Sequence, residues 1–127
     1  MFVIFQLLNK KRESLLKQFS KKKKKRNILC KFCNNKITDT SKEISINNSV
    51  NHTFVNPSGI MYNINCYSDA KGCFVTGEKT EQFSWFDGFS WQFAMCNKCL
   101  NHLGWFYSSN KDEKSFFGLI SENLKDE

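Results

Sequence analysis

Cys30-Lys31-Phe32-Cys33 and Cys96-Asn97-Lys98-Cys99 are the two stretches that decide the fold of this chain. Each is a Cys-x-x-Cys turn. Two such dithiol turns, far apart in sequence, close one tetrahedral four-sulfur site. That site suits Zn²⁺, which accepts four thiolates and has no geometric demand from its d electrons. A metal bound by Cys30, Cys33, Cys96 and Cys99 would clamp the two ends of the intervening chain together. Two further cysteines, Cys66 and Cys73, lack this spacing. In an oxidising compartment six cysteines could instead form disulfides, with fifteen pairings. The doubled Cys-x-x-Cys matches metal geometry far better.

Between and around these turns the chain reads as short β pieces broken by turn residues. Glu43–Ile46 and Ile60–Ile64 alternate, and His52–Val55 is β-branched and aromatic. It stops at Asn56-Pro57-Ser58-Gly59, where proline sets one corner of a turn and glycine permits positive φ at another. Residues 72–77, 91–95, 103–108 and 116–120 are further short strands. With 127 residues, one proline and no helical period after residue 30, the reading is a single all-β domain over residues 30–124. The acidic end, Glu122 to Glu127, reads as frayed.

Charge separates this domain from what precedes it. Residues 1–29 hold ten Lys/Arg and one acid, a net of +9. Residues 30–127 hold nine Lys/Arg and eleven acids, a net of −2, and the two sum to the +7 of the whole chain. The basic character belongs to an N-terminal segment, so the domain lacks the basic patch expected of a nucleic-acid-binding fold. Within residues 1–29, Leu8, Leu15, Leu16 and Phe19 share one helical face, predicting a short amphipathic helix. Residues 20–27 are a lysine run, read first as a solvated linker and second as a nuclear-import or anionic-surface tag. The apolar start is too short to span a bilayer, which needs roughly 20 apolar residues, and is a poorly formed signal peptide. Reduced thiols and the lysine run point to cytosol or nucleus, while the apolar start leaves secretion open.

The aromatic content is the second signal. Nine aromatics fall within residues 83–107, among them all three tryptophans, Trp85, Trp91 and Trp105. These could be core. They could also line a pocket, because Trp85 and Trp91 flank the turn-like Asp87-Gly88 and Trp105 follows a glycine. Aromatic walls with a few backbone donors and acceptors suit a small, flat, partly polar ligand, or a cation over the ring faces. Composition alone leaves core and pocket balanced.

The order of blocks goes further. Cys-x-x-Cys, then Phe54-Val-Asn-Pro-Ser-Gly59, then Ser84-Trp-Phe-Asp-Gly-Phe-Ser-Trp91, then Cys96-x-x-Cys99-x-x-His102-Leu-Gly-Trp105, then Phe116-Phe-Gly-Leu-Ile120 resembles the CULT domain family, the thalidomide-binding module of cereblon. The resemblance covers about residues 30–124. It implies a β-tent, in which two antiparallel sheets meet at an angle and are anchored by the four-cysteine zinc. It implies a cage of Trp85, Trp91 and Trp105 with Tyr107 as floor, holding a cyclic imide. That imide would be a glutarimide-type molecule or a cyclised residue at a protein C-terminus. Main-chain groups at Phe83 and Trp85, beside Ser84, would pair with the imide, and Asn56 and Pro57 would close the mouth. A buried imide needs its polar atoms paired, so such a pocket rejects plain hydrocarbons. Within a larger protein the resemblance implies a substrate-receptor role in ubiquitin-dependent degradation.

This chain departs from the pattern at three places. The family's histidine before Ser-Trp is Phe83, a proline is Asp87, and a tyrosine is Phe89. The Lon-like domain and helical bundle that precede the module in cereblon have no counterpart in the 29 residues before Cys30. A stand-alone module or a truncated product is therefore expected, with ligase partners not inferable.

Two other readings compete. A methionine sulfoxide reductase of the B type has a similar zinc-pinned β architecture, but would need Cys66 or Cys73 as an activated thiolate beside a pocket. A yippee-like zinc domain without a ligand is the blander reading. His102 has metal-ligand spacing from Cys99, yet four cysteines already complete the tetrahedron, so a hydrogen-bonding structural histidine is expected. A catalytic constellation is not evident, and the chain reads as a binding module and not an enzyme.

Overall fold

The computed structural model describes Gln6, residues 8–14 and residues 24–127. Residues 8–14 are helical and Leu8 is exposed; Leu15, Leu16 and Phe19, which completed the expected apolar face, lie outside the described residues.

Among the described residues nine strands form two sheets: β1 (Asn27–Cys30), β2 (Lys36–Asp39), β3 (Asn51–Val55), β4 (Met61–Tyr67), β5 (Cys73–Thr80), β6 (Phe89–Cys96), β7 (His102–Ser109), β8 (Ser115–Ile120) and β9 (Leu124–Asp126). The small sheet has the order β2-β1-β9 and the large one β3-β4-β8-β7-β6-β5. All pairings are antiparallel, as the all-β reading expected. The small sheet draws on residues outside the expected 30–124 span. Asn27 to Leu29 belong to β1, and the acidic end is not frayed, because Lys125 and Asp126 pair with Leu29 and Ile28. An Arg26–Asp126 ion pair at 2.6 Å reinforces this edge.

The alternating segment Glu43–Ile46 is not a strand. Asp39 accepts a hydrogen bond from the Ser41 N–H at 2.9 Å and starts a 3-10 turn over Thr40–Lys42. Asn47 and Asn48 then take positive φ, leaving only isolated bridges at Glu43 and Ile46.

One core lies where the sheets meet. Ile28 and Ile37 from the small sheet pack with Tyr67, Ala94, Leu103, Phe117 and Leu119 from the large one. A second core lies on the opposite face of the large sheet, formed by Cys66, Phe86, Tyr107 and Phe116. Successive strand residues face opposite sides, so Phe116 and Phe117 serve different cores.

A bulge connects this architecture to the site. Ala94 pairs with Gly104 but Met95 pairs with His102, so Leu103 is an extra residue on β7. It shifts the alternation by one. Leu103 enters the first core, while Trp105 and Tyr107 turn to the second. Gly104 has φ +156, and a Cβ there would sit 2.2 Å from the Gly118 oxygen, so only glycine fits this close approach of β7 and β8.

Candidate zinc centre and aromatic concavity

β1 ends in Cys30 and β6 ends in Cys96, and each strand runs into its neighbour through a turn of the same design. In the first, the Asn34 N–H reaches the Cys30 oxygen at 2.9 Å and the Cys30 N–H reaches the Asn35 oxygen at 2.8 Å. In the second, Leu100 and Asn101 occupy the corresponding places at 3.0 and 2.9 Å. The residue after each second cysteine is left-handed, Asn34 at φ 66 and Leu100 at φ 65.

The result is convergence of four sulfurs. The Sγ atoms of Cys30, Cys33, Cys96 and Cys99 all lie within 4.8 Å of one another. Cys30–Cys99 and Cys33–Cys96 are 3.6 Å apart. Sulfurs placed about 2.3 Å from a tetrahedral Zn²⁺ are separated by about 3.8 Å, so the donor set fits zinc. A disulfide would need about 2.05 Å.

Amide groups favour the thiolate at Cys99. The Asn101 backbone N–H and then its side-chain amide, 3.2 Å from the Cys99 sulfur, hold Cys99 down at about 6, whereas burial pushes Cys30 up to about 12. Because Cys30 is on the small sheet and Cys96 on the large one, the metal ties the two sheets. His102 is not in the cluster. Its Nε2 bonds the Gly104 oxygen at 2.8 Å and its ring meets Trp105 edge-on at 5.0 Å. Burial lowers its pKa, keeping it neutral.

On the other face of the large sheet lies a concavity of about 240 Å³ lined by Asn56, Pro57, Phe83, Trp85, Trp91, Trp105 and Tyr107. Seven of the eight residues expected at a ligand site are thus brought together. Ser84 is the exception, because its hydroxyl donates to the Phe86 oxygen at 3.0 Å. Trp85 and Trp105 meet edge to face at 4.9 Å and 78°. Trp91 lies directly opposite Tyr107 across β6 and β7, and its indole N–H donates to the Gln82 oxygen at 2.8 Å.

The Asn56 side chain holds the lip by accepting the N–H groups of Ser58 at 3.0 Å and Ile60 at 2.9 Å. Phe83 takes φ 58, unusual for a bulky residue, and is 65 % exposed at the rim. Among the described residues, the main-chain N–H and C=O groups of Phe83 and Trp85 make no intrachain hydrogen bond.

Sequence reasoning missed the supports behind these walls. Phe54 stacks on Trp85 at 5.0 Å and 11°, His52 stacks behind Phe54 at 5.5 Å, and Tyr62 meets Trp105 at 5.3 Å. Their signal was the alternation in β3 and β4, which puts Phe54 opposite Tyr62 once the hairpin register is known. A larger groove of about 570 Å³ runs along β2, lined by lysines such as Lys36, Lys42 and Lys71 with Asp39 and Asp69. It is polar and carries none of the aromatic residues.

The remaining thiols lie elsewhere. Cys66 is buried in the second core, and Cys73, opposite Cys96 on β5, packs against the zinc cluster. Burial pushes each up to about 12. Neither lines the concavity. Among the described residues no helix is long and apolar enough to cross a membrane.

Comparison with known proteins agrees with the metal site. The sequence model of the family described as Yippee zinc-binding/DNA-binding/Mis18, centromere assembly, matches residues 26–125. Curated relatives include protein cereblon of Drosophila melanogaster, 29% identical over 106 residues, and of Drosophila erecta, 28% identical over 106 residues. Each alignment covers 77% of this chain and 18% of the relative. Protein cereblon of Drosophila pseudoobscura pseudoobscura is 29% identical over 104 residues, 76% of this chain and 17% of the relative. The chain thus spans less than a fifth of the length of the curated relatives it matches. It belongs to the Yippee–Mis18 family.

Proposed function

We propose that this member of the Yippee–Mis18 family is a zinc-stapled binding module of the CULT type, with the two sheets, from Asn27 to Asp126, as its functional unit. Trp85, Trp91 and Trp105 would cage a cyclic imide, either a glutarimide-type molecule or a cyclised residue at a protein C-terminus. The observation that carries this reading is the concavity: three indoles border one opening of about 240 Å³. That volume is below the roughly 300–1,000 Å³ of drug-sized sites, so it selects a single small ring.

The unpaired main-chain groups of Phe83 and Trp85 supply donors and acceptors at the edge of the opening. An imide presents an N–H between two carbonyls and needs such partners once it leaves water. Phe83 in place of histidine leaves these main-chain groups available but removes a side-chain hydrogen bond. Tyr107, held between Phe86 and Phe116, would be the floor.

Similarity to cereblon supports this class of ligand. It also supports a substrate-receptor role in ubiquitin-dependent degradation for a longer protein carrying the module. The family description includes DNA binding. The net of −2 over residues 30–127 argues against a phosphate-binding face on this domain.

The sulfoxide reductase reading needs a thiolate at the pocket, and Cys66 and Cys73, whose thiols burial favours neutral and which do not line the concavity, do not supply one. The test is titration of the zinc-loaded protein with glutarimide, read by tryptophan fluorescence. Saturable quenching that is lost in Trp105→Ala is expected. An unchanged spectrum at millimolar ligand, in folded protein, would refute the proposal.

A further inference from the structure

Tyr107 is 1% exposed, yet its hydroxyl has no hydrogen-bond partner among the described residues. Buried phenols normally find one. No described side-chain nitrogen or oxygen is both sealed from solvent and unpartnered. The Tyr107 oxygen must therefore keep a narrow contact with open space, and the opening that Tyr107 borders is the concavity.

The ring cannot swing away to find another partner. It is stacked on Phe116 at 4.9 Å and 16°, and Phe86 abuts it at 4.8 Å and 74°. A fixed ring with a free hydroxyl at the base of an aromatic box is a polar contact awaiting a guest. A hydrocarbon edge resting on it would strip its water and return nothing, whereas a ring heteroatom would replace the lost hydrogen bond.

We propose that the Tyr107 hydroxyl is a specificity-determining group, selecting cyclic imides that carry a hydrogen-bonding atom on the ring edge remote from the imide N–H. This rests on the cyclic-imide reading of the concavity. The phenol can donate to a ring oxygen or accept from a ring N–H, so both kinds of heteroatom qualify.

The experiment compares three near-isosteric six-membered imides on the zinc-loaded chain: glutarimide, morpholine-3,5-dione and piperazine-2,6-dione. The last two replace the remote methylene with oxygen and with N–H. Wild-type protein is expected to bind at least one heteroatom imide about three- to tenfold more tightly than glutarimide, the range of one net hydrogen bond. Tyr107→Phe is expected to abolish that preference by weakening the heteroatom ligand relative to glutarimide.

Equal preference in wild type and Tyr107→Phe would overturn the proposal. So would a wild-type protein that favours glutarimide over both analogues, a result that needs no variant to fold. Failure of all three imides to bind would instead overturn the underlying cage reading.

Discussion

Gly118→Ala tests whether the floor of the concavity is rigid. Gly118 lies on β8, paired with Trp105 on one side and Cys66 on the other. A Cβ added there would stand 2.9 Å from Tyr107 Cε2 and 3.0 Å from Ile64 Cγ2. Carbon atoms in contact prefer about 3.5–4.0 Å, so both neighbours must retreat by about 0.5–1 Å. Phe116 and Phe86 hold two sides of the Tyr107 ring, so the ring yields toward the opening. Overpacking of this size costs about 1–3 kcal/mol. At about 4–8 °C per kcal/mol for a domain near 100 residues, Tm falls by about 5–20 °C. If the concavity holds glutarimide as proposed, its affinity falls by roughly tenfold, about 1.4 kcal/mol, as the floor intrudes. Thermal melts and fluorescence titrations of the zinc-loaded variant read both effects. A Tm within about 2 °C of wild type, together with unaltered affinity, would show slack around Tyr107 and refute the picture of a fixed floor.

Other outcomes follow from the geometry. Metal analysis gives one zinc per chain, and chelation abolishes the cooperative melt, because structural zinc sites contribute apparent free energies of about 10–16 kcal/mol; a chelated protein that still melts cooperatively would contradict this. Asn56→Ala removes an acceptor for two amides, lowers stability by about 1 kcal/mol and speeds hydrogen exchange at Ser58 and Ile60; unchanged exchange there would count against Asn56 as the lip's anchor. Alkaline pH is destabilising. Burial raises Cys66 and Cys73 from 9.0 and Tyr67 from 10.0, each to about 12. The fold thus favours their neutral forms. That contribution is complete below the unfolded values and is lost as pH rises through about 12. Melts between pH 8 and 11 show a falling Tm, with a shallower slope in Cys66→Ala; a flat profile would contradict the assignment.

The zinc ligands were legible because their chemistry is local: two residues between cysteines suffice to write each turn. The strands of the large sheet were legible for the same reason, as alternation bounded by Asn56–Gly59 and by glycines. β1, β2 and β9 were not. Each is three or four residues long, and β1 and β9 become strands only by pairing with each other across nearly the whole domain. In isolation Asn27–Cys30 reads as the end of a basic linker and Leu124–Asp126 as an acidic tail. The bulge at Leu103 was equally invisible, because one extra residue leaves no compositional trace while turning Trp105 toward the second core. Tryptophan crowding signalled a site, but the stack of His52 and Phe54 behind Trp85 depended on a hairpin register that only the fold supplies.

The antiparallel pairing of β1 with β9 brings Arg26 against Asp126, so the chain reaches the domain and leaves it at a single point. A unit with that arrangement behaves as a plug: it can be set into a surface loop of a host protein without prising the host apart. The same closeness gives a design rule. Joining residues 26 and 126 by a short linker and opening the chain within residues 111–113, an exposed stretch beyond the Asn110 contacts to Gly88 and Ser90, would make a permuted domain with both sheets intact.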